Sequence, residues 1–300
     1  MNTTICLMAV RISETTAIRL SHMQQIVGSL VGIGTLCYFV FQRQKMPKLL
    51  GSSTKVLIWW MIAFVLIHNI FLCIVAIWHE VRFYIYSDGC DLLIRTWQCL
   101  FFRVPTITSI IGMSAVYMVL LIDRLCSICL PNHYCNEKAP VAISTGLVLF
   151  VSTLSTLMFY DEDLLSFKHY CVSTSSQNAR RLTVLYAFLF CSHITCTLGF
   201  VLILRHSSHL LKRNKHNFVV SEKLKLRVDI VSMRFMMAGT ICSFIFIGMF
   251  LCANFLFRQI IEFENFIARS SWINGFYSVL VHTQAQDQNC FHIASNWDEL

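Results

Sequence analysis

Charge is what this 300-residue chain has least of: Asp, Glu, Lys and Arg make up 13% of it, about half the share usual in globular proteins. That scarcity excludes a soluble domain, because hydrophobic residues reach 56% and a soluble chain of this length has too little interior to hide them. Proline is scarce too. The four prolines are Pro47, Pro105, Pro131 and Pro140, so no apolar segment beyond residue 141 carries the ring that kinks a helix. Enzyme signatures are missing: no H-E-x-x-H, no G-x-S-x-G and no phosphate-cradling glycine loop occurs. The 11 histidines read as scattered, with no inward-facing cluster, so neither a metal nor a cofactor is expected and the chain is not expected to be an enzyme.

What is present is membrane-spanning material. Mean hydropathy is +0.62, and phenylalanine alone fills 24 positions. Seven apolar segments lie at about 23–41, 56–78, 100–122, 141–159, 182–204, 235–257 and 266–283. Each approaches the roughly 20 residues needed to cross the hydrocarbon core. The seventh, which carries Arg269 and Asn274, is the least apolar. Seven crossings leave connections averaging about 20 residues, too short for a separate folded unit. The expectation is an all-α membrane protein, a single seven-helix bundle over 1–300. Residues 1–22 hold only a short apolar patch, Ile5 to Val10, interrupted by Arg11 and Glu14, and no secretory signal is read there.

Lys and Arg in the short loops set the orientation. Loops one, three and five, with the run from Arg205 to Arg227, hold thirteen; the opposite side holds eight. The bias predicts an extracellular N-terminus and a cytoplasmic C-terminus. Asn2-Thr3-Thr4 agrees, because an N-glycosylation acceptor at Asn2 has to face the lumen.

The sharpest local signal is Ile122-Asp123-Arg124-Leu125 at the inner end of the third segment, where an ionisable pair is costly to bury and marks function. Pro131 follows seven residues later, and Cys99 precedes Arg124 by 25. At about 1.5 Å per residue that offset is a full crossing, so Cys99 stands at the outer mouth. Cys171 lies in the loop between the fourth and fifth segments. Disulfides form on the oxidising side, and a Cys99–Cys171 bridge would pin that loop over the bundle. Cys90 is the alternative, since Cys90 or Cys99 can each pair with Cys171 or Cys6.

This arrangement resembles the G-protein-coupled receptors. The run Ser87-Asp88-Gly89-Cys90-Asp91-Leu92-Leu93-Ile94, then Trp97, Cys99, Arg103-Val104-Pro105, Asp123-Arg124, Leu130-Pro131 and Tyr134 resembles the nematode serpentine chemoreceptors, class alpha and the related class alpha-beta. The resemblance implies a receptor that binds a chemical ligand in an outer cavity and activates a heterotrimeric G protein. It implies that Arg124 is held at rest by Asp123 and released when the inner helix ends part. It also places the chain in the plasma membrane of sensory neurons. Mainstream rhodopsin-like receptors differ: the tryptophan-proline pair of the sixth helix and the Asn-Pro-x-x-Tyr motif of the seventh are absent here, and Asn274-Gly275-Phe276-Tyr277 is only a faint echo. Thr106 stands where the amine receptors carry aspartate, which argues against an amine ligand.

Remaining groups have plainer readings. Arg103, one turn inside Cys99, is a candidate counter-charge for an acidic small molecule or peptide; otherwise it reaches headgroups, Asp88, Asp91 or an acid of the second outer loop. Cys126, Cys129, His133 and Cys135 have half of a zinc pattern but no second C-x-x-C, so free or acylated thiols are expected. Cys290 is a candidate for acylation. The basic run Lys212–Arg227 lacks aromatic interleaving, which excludes a nucleic-acid surface and leaves docking to a G protein or to anionic membrane lipid. A small transporter or channel is the other polytopic reading; it predicts ionisable residues at mid-membrane, and none is expected here.

Overall fold

The computed structural model describes residues 3–43, 52–86, 88–129, 139–168, 171, 176–213 and most of 230–252. Six helices lead the described chain: α1 (Thr3–Glu14), α2 (Thr16–Arg43), α3 (Ser52–Ile85), α4 (Thr96–Cys129), α5 (Ala139–Phe159) and α6 (Ser176–Arg213). A shorter apolar helix, α7, covers Met236–Met249. Four of the described helices contain stretches long and apolar enough to cross a membrane: Thr54–Ile85, Thr96–Cys126, Ala142–Phe159 and Arg180–Leu211. They overlay the second to fifth expected segments. The segment at 266–283 lies outside the described residues.

Helix α4 is the axis of the bundle. It packs against α3, α5 and α6, and 67% of its apolar window is buried, against 17% for the window of α5. The sequence explains the difference. On α4 small or polar residues (Thr106, Ser109, Gly112, Ser114, Ala115) interleave with Ile107, Ile110, Ile111 and Val116, letting neighbours approach closely. A Cβ on Gly112 would stand 2.5 Å from the ring of Phe64 on α3, so the two helices meet where only hydrogen fits. On α5, by contrast, Val148, Leu149, Phe150 and Leu157 point outward, as a lipid-facing helix requires.

Helix α3 shows the same logic residue by residue. Val65, His68, Asn69, Leu72, Cys73, Ala76, His79 and Glu80 are buried, while Ile67, Ile70, Ile74, Ile77 and Val81 are exposed. That is a helical stripe of period 3.6, but inverted in polarity from a soluble helix: the polar residues are inside.

One end of the bundle is elaborated. A two-residue antiparallel hairpin pairs β1 (Ile94–Arg95) with β2 (Phe167–Lys168), extended by Thr96 N–H donating to Ser166 O at 2.9 Å. The short apolar patch read from Ile5 to Val10 lies on helix α1. Cys6, Ala9, Ile12 and Ser13 are buried on one face and Arg11 and Glu14 exposed on the other. The charges that interrupt the apolar run are therefore the outer face of an amphipathic helix.

Candidate functional site

The inner end of α4 carries the acid–arginine pair. Its flanking residues Ile122 and Leu125 are 54% and 43% exposed, whereas Asp123 and Arg124 are 5% and 7% exposed. Successive helix residues project about 100° apart, so this phase sends the aliphatic side chains outward and turns both charges into the bundle. The Arg124 Nη2 donates a 2.8 Å hydrogen bond to Thr54 Oγ1, and Thr54, in the first turn of α3, is itself 3% exposed. The Asp123 carboxylate stands 3.9 Å from Arg124 Nε, an electrostatic contact beyond hydrogen-bond reach. The short bond of this arginine thus crosses to α3, a partner the sequence reading did not name.

About three helical turns toward the opposite end, a second polar group ties α4 to α6 and α7. Ser114 Oγ lies 3.1 Å from Ile110 O and 3.0 Å from His193 Nε2. A hydroxyl has one proton; with it given to Ile110 O, His193 Nε2 carries the hydrogen and donates. His193 Nδ1 is then the bare acceptor, buried and without a hydrogen-bond partner among the described residues. Tyr117 meets the imidazole edge-on at 5.7 Å, and its hydroxyl lies 2.5 Å from where a Cβ on Gly239 would stand. Thr197 of α6 bonds Thr240 of α7 at 3.2 Å. Three helices meet through side chains that all need partners.

The elaborated end is held covalently. Cys99 and Cys171 are disulfide-bonded across 72 residues, and Cys6 and Cys90 across 84. The first bridge ties the loop after α5 to the start of α4; the second ties α1 to the loop after α3. Gly89 lets that loop close, since a Cβ there would lie 2.3 Å from the carbonyl oxygen of Cys6. The acids Asp161 and Glu162 are paired with Arg181 and Lys168. Arg103 lies over the ring of Phe159, 5.9 Å from its centroid, half-buried on the side of α4 facing α5. Thr106 donates its hydroxyl to Phe102 O at 3.0 Å, and its carbonyl faces His68 Nδ1 at 3.4 Å. Arg103 and Thr106 therefore do not converge on one point. Asn2, Pro131, His133, Cys135 and Cys290 lie outside the described residues, as does the basic run beyond Arg213.

The histidines correct the sequence reading. His22, His68, His79 and His193 are all buried inward, and His68, His79 and His193 fall within the candidate spans, where no ionisable residue was expected. At the elaborated end His22 Nδ1 lies 2.7 Å from Glu80 Oε1, with the rings of His79 and Phe83 stacked on His22 at 5.5 and 5.9 Å. They read as scattered because they are far apart along the chain. The signal was phase: His68, Asn69, His79 and Glu80 repeat at eleven residues, three turns of one α3 face. Among the described residues no group of three His, Cys, Asp or Glu side chains is placed to hold a metal ion.

Comparison with known proteins adds an independent line. The family model described as serpentine type 7TM GPCR receptor class ab chemoreceptor matches residues 3–271. Similar proteins from Caenorhabditis elegans include serpentine receptor class beta-17, 22% identical over 81% of this chain and 68% of that receptor. Serpentine receptor class alpha-10 is 25% identical over 72% of this chain and 66% of its own length. Serpentine receptor class alpha-7 is 24% identical over 86% and 76%.

Proposed function

This chain belongs to the serpentine type 7TM GPCR receptor class ab chemoreceptor family, and from that membership we propose that it binds a chemical ligand near its disulfide-bonded end and activates a heterotrimeric G protein from the end that carries Arg124. It is a multi-pass membrane protein of a receptor family rather than an enzyme family. The N-terminus and the bridged end face outward in this reading, with Asn2 glycosylated, and the C-terminus lies in the cytoplasm of a sensory neuron. Disulfide chemistry supports that direction, since such bonds persist on the oxidising side of the membrane. In our reading Arg103, stacked on Phe159, is the counter-charge for an acidic small molecule or peptide, and Thr106 lines the wall below it.

The observation that carries the reading is the turned-in Asp123–Arg124 pair, buried where aliphatic residues would be cheaper. A buried guanidinium is stable only with partners. If those partners separate, the group must find new ones, and an arriving G protein supplies them. The ligand acts by binding the separated arrangement more tightly than the closed one. The basic residues from Lys212 to Arg227 extend the docking surface toward the G protein and anionic lipid.

The test is guanine-nucleotide exchange on co-expressed Gα subunits, comparing the native chain with Arg124→Ala at matched surface expression. Ligand-free exchange that disappears in the variant is expected; equal exchange in both sinks the role given to Arg124. Epitope tags at the two termini are expected to be reached from opposite sides of intact cells, and labelling from one side alone would overturn the orientation.

A further inference from the structure

We propose that Thr54 holds Arg124 in its resting orientation: a positioning residue on α3 whose hydroxyl has to release the guanidinium before a G protein is engaged. The inference rests on the receptor reading above and names a regulator of the same site. Its basis is the difference between two contacts. Thr54 Oγ1 lies at 2.8 Å from Arg124 Nη2, whereas the neighbouring carboxylate of Asp123 stands at 3.9 Å from Nε. A hydrogen bond from a charged donor fixes direction as well as distance; a contact beyond bonding reach does not.

The position of Thr54 makes this hold strong enough to keep and weak enough to break. It is the third residue of α3 (Ser52–Ile85), in the first turn, where the helix dipole presents its positive end. Lys55 is the next residue. Both features oppose a guanidinium. Arg124, meanwhile, lies near the last turn of α4, whose negative end favours it. Its own helix thus stabilises the cation, and a neutral oxygen bonds it from a helix whose end otherwise opposes it.

The packing decides what movement frees it. Helices α3 and α4 are locked together by Gly112 against Phe64, by buried Leu57 and by buried Ile111. They do not part to let the arginine go. The release is a side-chain turn from α3 toward the α6 and α7 side of α4, where the Ser114–His193 and Thr197–Thr240 bonds hold the bundle closed.

The experiment uses the full chain in cell membranes with GDP-loaded Gα subunits of the major classes, reading ligand-free exchange at matched surface expression. Thr54→Val removes the acceptor and keeps the shape, so basal exchange is expected to rise by up to roughly tenfold, the population shift equivalent to one such bond. Thr54→Ser keeps the acceptor and is expected to match the native chain, which a purely structural role for the methyl group would not allow. If Thr54→Val fails to reach the surface, Thr54→Ala removes the hydroxyl without added bulk and decides. Arg124→Ala with Thr54→Val is expected to show none of the rise. Exchange in the hydroxyl-free variants at or below the native level, with Arg124→Ala still abolishing exchange, overturns the hold. Native-chain exchange no higher than in receptor-free membranes, with every Gα class, overturns the receptor reading instead.

Discussion

The two ends of the bundle are built on opposite plans. Near Cys99 two disulfides, a hairpin, two ion pairs and a buried histidine–carboxylate pair converge. Near Arg124, among the described residues, a guanidinium bonds a threonine hydroxyl on the neighbouring helix. A covalent bond cannot exchange partners during signalling; a hydrogen bond from a charged group exchanges them at modest cost. In the proposed reading one end keeps its form and the other changes it. In that reading the division serves signalling: recognition gains from a preorganised surface, and transmission needs an element with two arrangements.

That contrast can be broken experimentally. The largest effect is expected at the bridge that closes the α5–α6 loop. Cys99→Ser or Cys171→Ser releases a 72-residue loop, worth about 4 kcal/mol by the chain-entropy argument. Surface delivery, measured by flow cytometry, is expected to collapse; normal delivery in both variants would show that covalent closure is dispensable.

Next comes the buried pair at the same end. Glu80→Ala leaves His22 buried without its carboxylate, and truncating one member of a buried pair costs about 3 kcal/mol. Glu80→Gln keeps an oxygen for the imidazole and is expected to lose about 1 kcal/mol. Thermal unfolding of the detergent-solubilised chain checks the order; equal midpoints for the two variants would remove the pair from the account.

Smaller again is the α3–α4 contact. Gly112→Val forces a branched side chain into the Phe64 ring, and overpacking of this kind costs about 1–3 kcal/mol. A midpoint unchanged within error would mean that the two helices are free to separate, and the lock beneath Thr54 would go with it.

The smallest stability effect, and the one that sharpens the comparison, is expected at Ser114. Ser114→Ala removes an interhelical hydrogen bond worth about 1 kcal/mol in a membrane interior. It loosens α6 relative to α4 while both disulfides stay intact. Ligand-free nucleotide exchange is expected to change more than the unfolding midpoint. If the midpoint moves and exchange does not, this polar group belongs to the scaffold rather than to the movable end.

The four long apolar spans were legible in the chain because lipid imposes a simple rule: some 20 apolar residues in a row have one stable structure in hydrocarbon. The family resemblance was legible for a related reason, since Asp123-Arg124 and Cys99 sit at the two ends of one segment and helical rise converts their spacing into distance. Cysteine pairing was not. Cys6, Cys90, Cys99 and Cys171 formed a set with more than one solution, and only α1 folding back to bring Cys6 near Cys90 resolved it. The histidines escaped for a different reason. Apolarity along a segment says that it spans, whereas inward or outward placement depends on rotational phase against neighbours, and His22 meets Glu80 across 58 residues of chain.

The same limit explains Thr54. By itself the sequence determined that this is a helical membrane protein of the serpentine receptor kind and roughly where four of its apolar spans lie, because those depend on local composition and the thickness of a bilayer. The tertiary structure alone decided that α4 is the axis, that two bridges rather than one close the same end, and that the guanidinium of Arg124 bonds a hydroxyl on α3. Those are contacts between residues distant in sequence, fixed by the way helices rotate and approach until each buried polar group has found an atom to bond.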